Sequence, residues 1–131
     1  MIAPKQAILK PFLLYWLPVL LYITVILTLS AQPNLHPPLE WRHSDKVYHL
    51  AEYGLFGVLL SRAFHGSLGP RRAVLAAALV LLFGMCMGAG DEYFQSFIPG
   101  RESSVYDWMA DATGVVMGQL LYLFSSRQKS E

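Results

Sequence analysis

Two stretches of this chain limit its fold before anything else is considered. Phe12 to Leu29 carries no charged residue, and Ala73 to Gly90 is a second uncharged, almost wholly apolar run. About 20 apolar residues cross a hydrocarbon core roughly 30 Å thick, so both runs read as membrane helices. Composition agrees, because charged residues make up only 15% of the chain, against about 25% in ordinary soluble domains. At 131 residues the chain is one domain, 1–131. The net charge of +1 offers none of the clustered basic surface that nucleic-acid binding needs. Cys86 is the only cysteine, so no intramolecular disulfide forms, and its apolar setting predicts a packing residue.

The remaining segments complete an all-α, four-helix membrane bundle with helices over about 12–29, 45–64, 73–97 and 105–125. Phe12 to Leu29 lacks the small-x-small cleavage site of a signal peptide and reads as an uncleaved span, with a kink at Pro18. Prolines 33, 37 and 38 make 32–42 a loop. Ser44 is expected as the N-cap of the second helix. Gly66, Gly69 and Pro70 mark a turn, Ile98-Pro99-Gly100 ends the third helix, and Ser104-x-x-Asp107 resembles a capping box for the fourth. Lys5, Lys10, Arg62, Arg71, Arg72, Arg127 and Lys129 cluster at one side of this layout, leaving Arg42, Lys46 and Arg101 on the other. By the positive-inside rule both termini are cytoplasmic. Every acidic residue except Glu131 then falls on the outer half.

That end is where the chemistry is expected. On the second helix, Asp45, His49 and Glu52 share a face at i, i+4, i+7. On the third, Gly84, Gly88, Asp91 and Gln95 align. On the fourth, Ser104, Asp107, Asp111, Gly114 and Gly118 do the same. Each of the last two helices has a small-xxx-small seam that permits close approach, widening into acids at the outer end. Ionisable groups at membrane depth are costly and are functional candidates by default. Asp45, Glu52, Asp91, Glu92, Asp107 and Asp111 face only Lys46 and Arg101 as cations, so protonation or a bound cation must relieve their repulsion. His49 with Glu52, and Asp107 with Asp111, are spaced for a divalent cation such as Mg²⁺, Ca²⁺, Mn²⁺ or Zn²⁺. The spacing does not settle whether a metal is bound. A structural ion-pair network among Asp91, Glu92, Asp107, Lys46 and Arg101 is the non-functional alternative.

The segments SDKVYHLAEYGLFGVLL and DEYFQSFIPGRESSVYDWMADATG resemble the VanZ-like family. The matching positions are Asp45, Lys46 and His49, then Asp91, Glu92, Gln95, Phe97, Pro99 and Arg101, then Ser104, Asp107 and Asp111. Many relatives have Asn where this chain has Asp111. The resemblance implies a multi-pass protein of the bacterial inner membrane, in a family whose founding member is associated with resistance to the glycopeptide teicoplanin. It implies no defined reaction. Joined to the polar rim, it suggests a site for a membrane lipid or a lipid-linked envelope precursor. His49, Glu52 and Asp107 are the acid/base candidates, with Lys46 and Arg101 as phosphate or carboxylate contacts. Asp45, Asp91, Glu92, Gln95, Ser104 and Asp111 complete the binding set. The alternative is a non-enzymatic cation or proton site, or an accessory subunit whose cluster is structural. Neither Gly-x-Ser-x-Gly nor His-Glu-x-x-His is present.

Overall fold

The computed structural model describes residues 9–35 and 41–128. Lys5, Pro37, Pro38, Lys129 and Glu131, used above for the charge bias and the loop, lie outside the described residues. Four long helices and no strand occur among the described residues. The first apolar segment, Leu9–Ser30, is π-helical over Phe12–Trp16 and α-helical over Leu17–Ser30 (α1). It is followed by α2 (Ser44–Leu68), a 3₁₀ turn at Pro70–Arg72, α3 (Ala73–Gln95) and α4 (Val105–Gln128). Leu9–Ser30 and Pro70–Gln95 are long and apolar enough to cross a membrane, each with a mean hydropathy of 2.2.

Local chemistry explains the boundaries. Pro18 has no N–H and its ring collides with the carbonyl four residues back. The Leu17 N–H instead bonds Phe12 O, one residue further away than in an α-helix, so a wider turn absorbs the proline. Ser44 is not the N-cap of α2. His43 takes that place in the left-handed region (φ 71°), and Ser44 is the buried first helical residue, its N–H donating to Trp41 O at 3.0 Å. The helix runs a turn beyond the expected residue 64. It stops at Gly69, whose φ of 74° suits glycine and whose N–H bonds His65 O at 3.0 Å.

The helices alternate in direction. Trp16 meets Phe64, and Tyr22 meets Phe56, so α1 and α2 are antiparallel. Gly84 lies against Val115 and Gly88 against Asp111, which makes α3 antiparallel to α4. Lys46 pairs with Asp107, and Gly54 and Val58 lie against Gly118, so α2 and α4 run parallel. The α2–α4 crossing is closest. A Cβ at Gly114 would lie 2.5 Å from Leu50 O and 2.8 Å from Gly54 N, and one at Gly57 2.6 Å from Val115 O. A Cβ at Gly118 would collide with Gly54 O. The small-residue seam on α4 therefore has its counterpart on α2, at Gly54 and Gly57.

Ile26, Tyr53, Phe56, Leu60, Ala63, Val80 and Val115 form the core, with α2 at its centre. The outward faces carry Leu20, Leu21, Leu82, Phe83, Leu120, Leu121 and Phe124, all exposed. So many exposed large apolar side chains are what a lipid-facing bundle presents. Cys86 is on that exposed face of α3 rather than in the packing.

Candidate functional site

The loops bring the polar ends together. Ile98-Pro99-Gly100-Arg101 closes a turn through Arg101 N–H to Ile98 O at 3.1 Å. Proline stands at the second position and Gly100, at φ 76°, at the third, the pattern of a type II turn. Asn34 N–H donates to Pro99 O at 3.3 Å, tying the loop after α1 onto this turn. Ser104 then caps α4, its Oγ accepting the Tyr106 N–H at 3.2 Å. The reciprocal half of a capping box, an acid at Asp107 reaching back, is not made. Glu92 of α3 supplies it, with Oε2 accepting the Ser104 N–H at 2.8 Å.

Asp107 is thereby freed for Lys46, whose Nζ lies 2.8 Å from Asp107 Oδ1 and 2.7 Å from Asp45 Oδ2. One turn deeper, His49 Nδ1 is 2.9 Å from Asp111 Oδ1 and 3.8 Å from Glu92 Oε1. Gln95 donates to Ser30 Oγ at 3.2 Å and to Asp91 Oδ2 at 3.3 Å, joining α1 to α3. Trp108 braces the hairpin by donating to Met85 O at 3.1 Å. Asp91, Glu92, Gln95, Asp107 and Asp111 are all buried. Among the described residues, Glu52 Oε1, Glu92 Oε1 and Asp111 Oδ2 are buried oxygens with no hydrogen-bond partner.

Beside this network lies a cavity of about 810 Å³. Tyr22, Val25, Leu29 and Leu35 make an apolar wall. Asp45, Lys46, His49, Glu52, Gln95, Arg101, Ser104 and Asp107 make the polar one. Tyr22 also donates to Glu52 O at 3.0 Å, tying α1 to α2 beside the cavity. Every candidate site residue named from the sequence is therefore at one end of the bundle. The expected partners differ, however. The histidine joins Glu92 and Asp111 from two other helices, rather than Glu52 on its own. Asp107 goes to Lys46 rather than sharing a cation with Asp111. Of the ion-pair network, the Lys46–Asp107 arm exists, while Arg101 makes no ion pair among the described residues and lines the cavity.

Ser30, Tyr22, Gly54 and Gly57 were not foreseen. The hydroxyls of Ser30 and Tyr22 in a mostly apolar first helix, which also carries Thr24 and Thr28, were the signals for two of them. The VanZ/LLP1 family model matches residues 7–126, nearly the whole chain. The chain belongs to the VanZ-like family. A 113-residue stretch is 30% identical to an uncharacterized protein of Schizosaccharomyces pombe, covering 86% of this chain and 67% of that one. No solved structure matches the chain. VanZ-like membership and the two apolar helices together mark a membrane protein.

Proposed function

We propose that this VanZ-like protein spans the membrane four times, with both termini cytoplasmic, and holds the polar head of a membrane amphiphile in the cavity at its outer face. The observation that carries the reading is the two-sided lining of the cavity, apolar along α1 and the loop after it, polar along α2 and around Arg101. A lipid or lipid-linked glycan has that division along its length. Arg101 makes no ion pair among the described residues, so its planar fork is available to a phosphate. The carboxylates of Glu52 and Asp107 accept hydrogen bonds from hydroxyl or ammonium groups of the same head. The relative in fission yeast favours a ligand that eukaryotic membranes also contain, a phosphate-bearing lipid, over a precursor peculiar to bacterial walls.

If the bound head is also processed, Glu52 is the best placed of the three acid/base residues. It lines the cavity and keeps an unpartnered oxygen, whereas Asp107 is held by Lys46 and His49 by Asp111. Native mass spectrometry of the full chain in detergent, titrated with phosphatidylglycerol and phosphatidylethanolamine, tests binding. Losing a charge-assisted hydrogen bond of about 1.5–3 kcal/mol weakens binding roughly ten- to a hundredfold in Arg101→Ala. Equal retention of both lipids by wild type, Arg101→Ala and Glu52→Gln would sink the reading. The proposed link to glycopeptide tolerance rests on family resemblance alone. Expression in a susceptible bacterium that leaves the inhibitory concentration of teicoplanin unchanged removes it.

A further inference from the structure

The triad of His49, Glu92 and Asp111 shares His49 with the cavity lining and adds two acids that do not line it. It draws one residue from each of α2, α3 and α4, and its ligand-type atoms all lie within 4.8 Å of one another. The side chain of Asp111 is fully buried and that of Glu92 is 7% exposed. Each keeps one oxygen without a hydrogen-bond partner among the described residues, Oδ2 and Oε1 respectively. A single imidazole proton cannot serve both. It reaches Asp111 Oδ1 at 2.9 Å and leaves Glu92 Oε1 at 3.8 Å. We propose that this triad binds one divalent transition-metal ion, through His49 Nδ1 and the carboxylates of Glu92 and Asp111.

Three features support this. The first is spacing. Ligand bonds of about 2.0–2.2 Å in a tetrahedral array place neighbouring donors roughly 3.4 Å apart; the two histidine–carboxylate separations, 2.9 and 3.8 Å, bracket that value, and all three donors lie within 4.8 Å of one another. The second is charge, since two carboxylates and a neutral imidazole are balanced by a 2+ ion, which relieves the repulsion of buried acids. The third is support from surrounding groups, the usual partner of a metal site. Ser104 N–H holds Glu92 Oε2 at 2.8 Å and leaves Oε1 directed at the histidine. Gly88 gives Asp111 its room, because a Cβ there would lie 3.0 Å from Asp111 Cβ and 3.2 Å from Oδ2. One imidazole with two carboxylates suits Zn²⁺ or Mn²⁺ and leaves a coordination position open.

The full chain in detergent, stripped with EDTA and given Zn²⁺ or Mn²⁺ alone, tests the site without added lipid. Failure of the lipid reading therefore leaves the result untouched. Elemental analysis should find about one ion per chain, with a saturable rise in Tm. Glu92→Gln and Asp111→Asn should each lose about tenfold or more in affinity, while His65→Gln, at the far end of α2, keeps it. Wild-type protein loaded with Cu²⁺ provides a readout independent of variant folding, an electron paramagnetic resonance signal split by a single nitrogen. Failure to bind either metal, a Cu²⁺ signal without nitrogen splitting, or triad variants as tight as wild type would each overturn the proposal.

Discussion

Gly114 sits at the close crossing of α2 and α4, and replacing it with alanine forces backbone against backbone. The new Cβ would lie 2.5 Å from Leu50 O, 2.8 Å from Gly54 N and 3.1 Å from Tyr53 C. All three are main-chain atoms that no rotamer change can move. Ordinary contact begins near 3.4 Å, so going from 2.5 to 3.4 Å requires α2 and α4 to part by about 0.9 Å in a close-packed interior. Overpacking against backbone belongs at the upper end of the usual 1–3 kcal/mol. The same parting stretches the His49–Asp111 contact, one turn away, from 2.9 Å to about 3.8 Å, past hydrogen-bonding range, at roughly a further 1 kcal/mol. Alanine returns about 1 kcal/mol of helix propensity. The net loss is about 3 kcal/mol, read as a fall in Tm on the order of 10 °C in detergent. Gly90→Ala is the control. Nothing lies within 4 Å of a Cβ there, so it should stabilise by up to about 1 kcal/mol. If Gly114→Ala unfolds with wild-type Tm, or both alanines behave alike, the close-approach argument is wrong.

Gly88→Ala should weaken metal binding while costing less stability than Gly114→Ala, because its Cβ meets a side chain, Asp111, rather than backbone; metal titration and thermal melts on the same samples separate the two effects. Ser104→Ala removes the cap on Tyr106 N–H and should cost about 1 kcal/mol, read as a lowered Tm with metal stoichiometry unchanged. A double-mutant cycle on Lys46→Met and Asp107→Asn should give a coupling of about 1 kcal/mol, above most exposed pairs, since the Asp107 side chain is only 8% exposed; a value near zero contradicts the pairing. Cys86, exposed on the outward face of α3, should resist a charged maleimide in intact membranes and react once detergent replaces the lipid. Rapid labelling in the membrane would show that this face meets water.

The helices and the gathering of polar groups at one end were legible because both depend on spacing along the chain. Apolar runs, a proline-glycine turn and acids at helical offsets carry that information locally. Pairing was not legible, because it depends on how each helix is rotated about its axis. Nothing near Asp107 in sequence says that Glu92 takes over its capping role and leaves it to Lys46. Gly54 and Gly57 were overlooked for a related reason. They are three apart rather than four, and their importance arises only from the partner backbone that arrives against them. Cys86 was misplaced because an all-apolar helix does not reveal which of its sides faces lipid.

The borrowed cap also bears on how the helices are held together. The first peptide group before α4 is satisfied by a side chain of α3, so the opening turn of the final helix is completed by its predecessor. The last two helices are therefore tied into one hairpin at their polar end, with Trp108 bracing it against Met85. The parallel contact with α2 has no loop of its own to enforce it and rests on close approach, glycine against glycine.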